Sequence, residues 1–176
     1  MSPAHCPTSA AYSPWFGGKG VGAGPLCACG ARGCLAASAS GGAIARRLRE
    51  QGRPVHTSRE AVQLAHDRDP AAVALVREAG IQLGGVLATA VSLLNPQVLV
   101  IGGDLVELQE HFMVSLKEVL YQRTQPLATR DLHVRTSSLG DRAGIVGAAN
   151  LVVEEAFSAE SVDRTMAGKD WSLSGT

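Results

Sequence analysis

Apolar residues change their rhythm several times along this 176-residue chain, and each change predicts an element. Ala43, Ile44 and Leu48 recur at helical spacing, with Gly52 and Pro54 just beyond, which predicts a helix over about 37–51. Ser58 is placed to cap a short helix running through His66, and Pro70 at a first-turn position opens a long one over about 70–94. On that helix Val73, Val76, Leu83, Leu87, Val91 and Leu94 make a wide apolar stripe, and Asn95-Pro96 stops it. Val98-Leu99-Val100-Ile101 is an unbroken apolar run ended by Gly102-Gly103-Asp104, the pattern of a strand buried on both faces with a tight turn at its carboxyl end. A helix over about 107–123 follows. Leu132 and Val134 then alternate with His133 and Arg135 across about 131–137, as a half-buried strand requires, and the Ala-rich segment of about 142–157 makes the final helix. Strands separated by helices predict an α/β layer with helices packed on a small mixed sheet. Two strands alone do not make a stable sheet face, so others are expected from the N-terminal segment, another chain or the rest of a larger domain.

Composition changes this picture mainly at the two ends. Residues 1–24 are dominated by Pro, Gly, Ser and Ala, with Gly17, Gly18, Gly20, Gly22 and Gly24 at nearly alternate positions, and are expected to form a disordered leader. The folded domain is expected over 25–158, with 159–176 a flexible tail; Trp15 and Trp171 therefore stand outside the core. Sixteen basic and sixteen acidic residues give a net charge of zero, which removes the phosphate attraction that direct nucleic-acid binding by this chain would need. The apolar stretch Ile81 to Gly103 is interrupted by Gly84, Gly85, Asn95 and Pro96, so it reads as a buried helix and a buried strand rather than a membrane span. No basic n-region or apolar h-region opens the chain, and a cytoplasmic location without membrane partners is expected. Gly84-Gly85 inside a helix costs about 1 kcal/mol per residue relative to Ala and points to close helix packing, as at a subunit contact. Arg46, Arg47 and Arg49 read as a solvated basic face, and His56, His66, His111 and His133 lack ligand-like spacing. Asp104 reads as a turn residue and Asp141 as a helix N-cap.

The chemistry is concentrated in Cys27-Ala28-Cys29-Gly30-Ala31-Arg32-Gly33-Cys34. Three thiols share one short loop, with Gly30 and Gly33 supplying the backbone freedom that lets the sulfurs converge. Tetrahedral zinc asks for four ligands, and His5 or the adjacent Cys6 could be the fourth. Such a closed site would be structural, since it leaves no open position for water. The plain alternative is a set of free thiols on a flexible loop.

These residues, continued by Leu35, resemble the zinc loop of the ROK family, which comprises bacterial sugar kinases and sugar-responsive transcriptional repressors on an actin-like ATPase (ribonuclease-H-like) fold. The likeness extends through Leu94-Asn95-Pro96 to Ile101-Gly102-Gly103-Asp104, and again through Leu139-Gly140-Asp141-Arg142-Ala143-Gly144-Ile145-Val146-Gly147-Ala148-Ala149. Pro126-Leu127-Ala128-Thr129-Arg130 looks closer to the repressor branch. The resemblance covers residues 25–158 and implies the C-terminal half of that fold, with Cys27, Cys29 and Cys34 holding structural zinc.

It also implies what to look for elsewhere. Gly102 and Gly103 match the position that contacts the nucleotide in family kinases, although repressors keep these glycines without phosphorylating anything. The family's phosphate loop, its catalytic Asp and the repressors' helix-turn-helix have no match in this sequence, so ATP and magnesium are not expected, catalytic residues are none, and residues 1–24 read as sequence foreign to the family. The family's metal-binding His, ten residues before the first Cys, corresponds to Gly17 here, with Pro14 at the start of the same motif; His5 is the displaced candidate. A family Glu that holds a sugar hydroxyl two residues after the third Cys is replaced by Ala36, which leaves the sugar's donor unpaired at about 1–3 kcal/mol. The expected function is a non-catalytic sugar-sensing and dimerisation portion of a ROK regulator; the alternative is the C-terminal half of a sugar kinase that needs a separate N-terminal domain. A homodimer, or pairing with such a half, is the expected partnership.

Overall fold

The computed structural model describes residues 24–167 and builds them mainly from helices. In chain order these are α1 (Leu35–Ala39), α2 (Gly41–Glu50), α3 (Ser58–His66), α4 (Pro70–Leu94), β1 (Val98–Ile101), α5 (Val114–Arg123), α6 (Pro126–Thr129), β2 (His133–Thr136), α7 (Ala143–Ala156) and α8 (Ala159–Ala167). A tight 3-10 turn (Asp104–Glu107) and a wide π turn (Gln109–Met113) lead into α5. Contacts divide the chain into two units, one ending at Ser137 and one starting at Ser138.

In the first unit, local signals account for most helix boundaries. The helix predicted over 37–51 is split, because Ser40 turns extended and its hydroxyl accepts from the Ala43 N–H at 3.1 Å, starting α2 afresh. The cap of α3 is Thr57 rather than Ser58: Thr57 Oγ1 accepts from Glu60 N, while Glu60 Oε2 accepts from His56 N at 2.7 Å, a variant of the capping box. Asp69 Oδ1 accepts from both Ala71 N and Ala72 N at 3.0 Å, Pro70 follows, and left-handed Asn95 closes α4. Arg53 donates to the same Asp69 carboxylate at 2.9 Å.

The core is organised around α4. Ile44, Leu48, Val76, Val91, Leu116 and Leu120 are almost completely buried within it, and the glycine pattern explains how α4 comes so close to α5. A Cβ on Gly80 would stand 2.6 Å from the Phe112 carbonyl oxygen, and one on Gly84 2.5 Å from that of Leu116. Bare backbone is required at both points. The helix-packing reading of Gly84 therefore holds, but the partner is this chain's own α5 rather than another subunit, and Gly80 contributes equally. By length and composition α4 could cross a bilayer, yet nine of its residues, from Ala72 to Val91, are buried in the protein's own packing. Leu94, expected on the buried stripe, is exposed in the last turn.

β1 and β2 pair in parallel, with Val98 opposite His133 and Ile101 opposite Thr136. They are the two named strands among the described residues. The alternation expected in β2 is present, with Leu132 and Val134 packed on the core. β1 differs from expectation: Ile101 is buried and Leu99 packs on the core, but Val98 and Val100 are more than half exposed. Its apolar run implies two covered faces, and the described residues cover one.

The second unit consists of a short 3-10 turn (Gly140–Arg142), α7 and α8. α8 lies in the segment expected to be a flexible tail, which is helical over Ala159–Ala167. Arg142, not Asp141, occupies the N-cap position of α7, and Asp141 belongs to the preceding turn. None of the residues of α7 or α8 is buried.

Candidate metal centre

The segment 24–34 folds into a small knuckle. Leu26 and Arg32 form an antiparallel bridge, Cys27 N donates to Ala31 O at 2.8 Å, Gly30 N to Cys27 O at 2.9 Å, and Gly33 N to Pro25 O at 3.1 Å. Gly30 and Gly33 have φ of +85° and +74°, the left-handed values that side-chain-bearing residues avoid. The chain then extends at Cys34, which serves as the N-cap residue of α1 with its sulfur turned to other work: no side-chain cap bond forms there.

The knuckle brings Cys27, Cys29 and Cys34 together, their sulfurs all within 4.8 Å of one another. Cys29 Sγ and Cys34 Sγ are 3.7 Å apart. A tetrahedral zinc with bonds of about 2.3 Å holds its sulfurs about 3.8 Å apart, which the Cys29–Cys34 spacing matches. Three soft thiol donors also suit a thiophilic cation better than a hard one. Cys34 is fully buried, and Cys27 and Cys29 are half-buried. Burial, then the hydrogen bonds that the Cys34 S–H makes to the Cys29 and Cys27 sulfurs, pushes the Cys34 thiol up to about 12. At neutral pH Cys34 is therefore protonated, and a metal that binds it must displace that proton. Among the described residues the cluster has three ligands. His5, the predicted fourth, lies outside the described residues, as do Cys6, Gly17, Trp15 and Trp171.

Gly102 and Gly103 stand at the carboxyl end of β1, where Gly103 has φ +107°. A Cβ on Gly102 would rest 3.5 Å from Ser137 Cβ at the end of β2, so the turn lies beside the carboxyl ends of both parallel strands. That is the end at which open parallel sheets seat ligands. Asp104 does more than turn the chain: it accepts a hydrogen bond from Ser58 Oγ, joining the start of the 3-10 turn to the start of α3. The Ser58 side chain also lies against Gly41, where a Cβ would be 2.6 Å away, so the first turns of α2 and α3 converge beside Asp104. Nothing in sequence spacing links positions 41, 58 and 104.

The arginines and histidines likewise gain specific surroundings. Arg47 pairs with Glu78 of α4 at 2.9 Å, and Arg46 donates to Ala37 O at 2.7 Å, so the basic face of α2 ties neighbouring helices rather than only facing water. His66 and His111 line an open pocket of about 310 Å³ together with Arg68, Glu107 and Glu110, and His111 Nδ1 is buried with no hydrogen-bond partner among the described residues.

Comparison with known proteins agrees with the motifs. The ROK family profile matches residues 12–155. A glucokinase of Thermotoga maritima is 32% identical over 145 residues, covering 74% of this chain and 46% of its own length. A xylose repressor of Bacillus spizizenii is 28% identical over 131 residues, covering 74% of this chain and 34% of its own. Among solved structures, a ROK hexokinase from Thermus thermophilus superposes with a TM-score of 0.59 at 34% identity, over 75% of this chain and 45% of that one. The chain thus spans roughly a third to a half of the length of these relatives.

Proposed function

The chain belongs to the ROK family, and from that premise we propose that it is the non-catalytic, C-terminal sugar-sensing and dimerisation portion of a ROK transcriptional regulator, acting in the cytoplasm. The observation that carries this reading is Ala36. It sits exposed in α1, two residues after Cys34, where the family resemblance calls for a carboxylate to accept a sugar hydroxyl. A methyl group accepts nothing, so a sugar bound there leaves a donor unpaired and binds weakly. A kinase that must hold its acceptor hydroxyl in line loses most from that change; a regulator loses only affinity. Repressors among the relatives support the same assignment.

In this reading Cys27, Cys29 and Cys34, with His5 as fourth ligand, hold structural zinc. The metal would fix the knuckle against the first turn of α1 and carry no chemistry. The exposed apolar residues of β1, and separately those of α7, are each open to a second copy or an N-terminal half, and neither nucleic acid nor membrane is a direct partner of this chain. The decisive assay offers ATP with hexoses and N-acetylated amino sugars to the pure protein: no phosphorylation is expected, and turnover above background overturns the proposal. Zinc is checked separately. Stoichiometric metal by emission spectrometry and a lower melting temperature on chelation are expected, and an unchanged melting temperature removes the structural role.

A second reading has its own support. Gly102 and Gly103 at the carboxyl ends of two parallel strands, and the glucokinase and hexokinase relatives, fit the nucleotide-facing part of a sugar kinase. Hexose phosphorylation restored by adding a ROK N-terminal half would establish that role for the chain.

A further inference from the structure

The knuckle that suits a metal also sets two sulfurs for a different reaction. Cys29 Sγ and Cys34 Sγ are 3.7 Å apart, about 1.7 Å more than the roughly 2.0 Å of a disulfide bond. The two residues are unequal in access. Cys34 is fully buried and fixed at the start of α1, where its carbonyl accepts from Ala37 N at 2.9 Å. Cys29 is half-buried on the turn, followed by Gly30, beside which a Cβ would meet nothing within 4 Å. Of the two, Cys29 is the sulfur that a small oxidant reaches first.

We propose that Cys29 and Cys34 form a peroxide-oxidisable pair, in which Cys29 is the attacking thiol and Cys34 the resolving one. In the first step Cys29 Sγ attacks the terminal oxygen of a hydroperoxide ROOH. The O–O bond breaks, the alcohol ROH leaves, and Cys29 becomes a sulfenic acid. In the second, Cys34 Sγ attacks Cys29 Sγ; the S–S bond forms, the S–O bond breaks, and the oxygen leaves as water. Together the two thiols lose two electrons and two protons, and the peroxide is reduced to ROH and water. Cys27 keeps its thiol. Because two of the three clustered donors are consumed, a metal held there is released, and the knuckle loses that anchor to α1. This inference depends on the geometry of the knuckle and not on whether the chain belongs to a regulator or a kinase.

The test uses the full chain, zinc-loaded and after chelation, titrated with hydrogen peroxide. Intact mass should fall by about 2 Da, for the two hydrogens lost. Peptide mapping should place one link between Cys29 and Cys34, reversible by dithiothreitol, with release of zinc to a metallochromic dye in the loaded protein. Cys27→Ser and Cys6→Ser should keep the link; Cys29→Ser and Cys34→Ser should abolish it. Thermal melts of the reduced variants check that each is folded, and should Cys34→Ser fail that check, Cys29→Ser alone decides. A link involving Cys27 or Cys6, accumulation of sulfinic acid on Cys29 without a link, or no loss of thiol at a peroxide excess that oxidises free cysteine would overturn the proposal.

Discussion

Helices α4 and α7 are comparably apolar, similarly rich in Ala, Val and Leu, and both interrupted by glycine, yet one is a core element and the other is bare. Nine residues of α4 are buried and none of α7. Their glycines mark the difference most sharply. At Gly80 and Gly84 an added Cβ would strike a carbonyl oxygen of the segment leading into and through α5, whereas at Gly144 and Gly147 it would meet nothing within 4 Å. Apolar composition states that a helix is made to be covered; only a partner decides that it is. On α7 Ile145, Leu151 and Val152, and Phe157 just after it, are each more than two-thirds exposed, a combination that composition alone would assign to an interior.

Substitutions can break this comparison in order of size. Leu116→Ala removes a fully buried side chain opposite Gly84 and should cost about 2–5 kcal/mol in denaturant unfolding, against a change within about 0.5 kcal/mol for Leu151→Ala on α7. A large loss at Leu151 would show that α7 is covered in solution. Next comes the glycine pair. Gly84→Ala gains up to about 1 kcal/mol of helix propensity but forces the α5 backbone aside, at about 1–3 kcal/mol, so net destabilisation is expected. Gly147→Ala should keep only the gain. Equal effects at the two sites would erase the contrast.

The smallest effect concerns the helix starts. The carboxyl of Asp69 is held below its ordinary range, first by the Ala72 N–H, then by the Arg53 guanidinium. Its folded-state pKa is depressed, so its contribution is complete above about pH 4 and is withdrawn as pH falls through the lowered value. α7 has no side-chain cap at its start. Asp69→Asn keeps a competent cap but removes the charge, and should flatten the acid limb of a melting-temperature profile while shifting the neutral-pH value by a few degrees at most. An unchanged acid limb would place the dependence elsewhere, with Glu60, whose carboxyl the His56 N–H lowers, as the next group to examine.

Most of the secondary structure was legible because its signals are local. Pro70 and Asn95 bracket α4 at the predicted residues, and the glycines of the cysteine segment announced a loop on which three sulfurs meet. What was not legible depends on distant partners. The run Val98–Ile101 cannot say that one face lacks cover, Gly80 cannot announce Phe112, and the joining of Gly41, Ser58 and Asp104 follows from the packing of α2 on α3 and of α3 on the 3-10 turn. His5, the expected fourth ligand, lies outside the described residues.

The parallel pairing of β1 with β2 has a kinetic consequence. Residues 102–132 must be ordered before Val98 can meet His133, and closing so long a loop is entropically costly unless its contents are already compact. The docking of α5 on α4, fixed by Gly80 and Gly84, supplies that compaction. Formation of the helix pair should therefore precede closure of the sheet, so that substitutions at Leu116 slow folding while those at Val134 chiefly hasten unfolding. The two short strands are then the last part of this unit to assemble and the first to come apart.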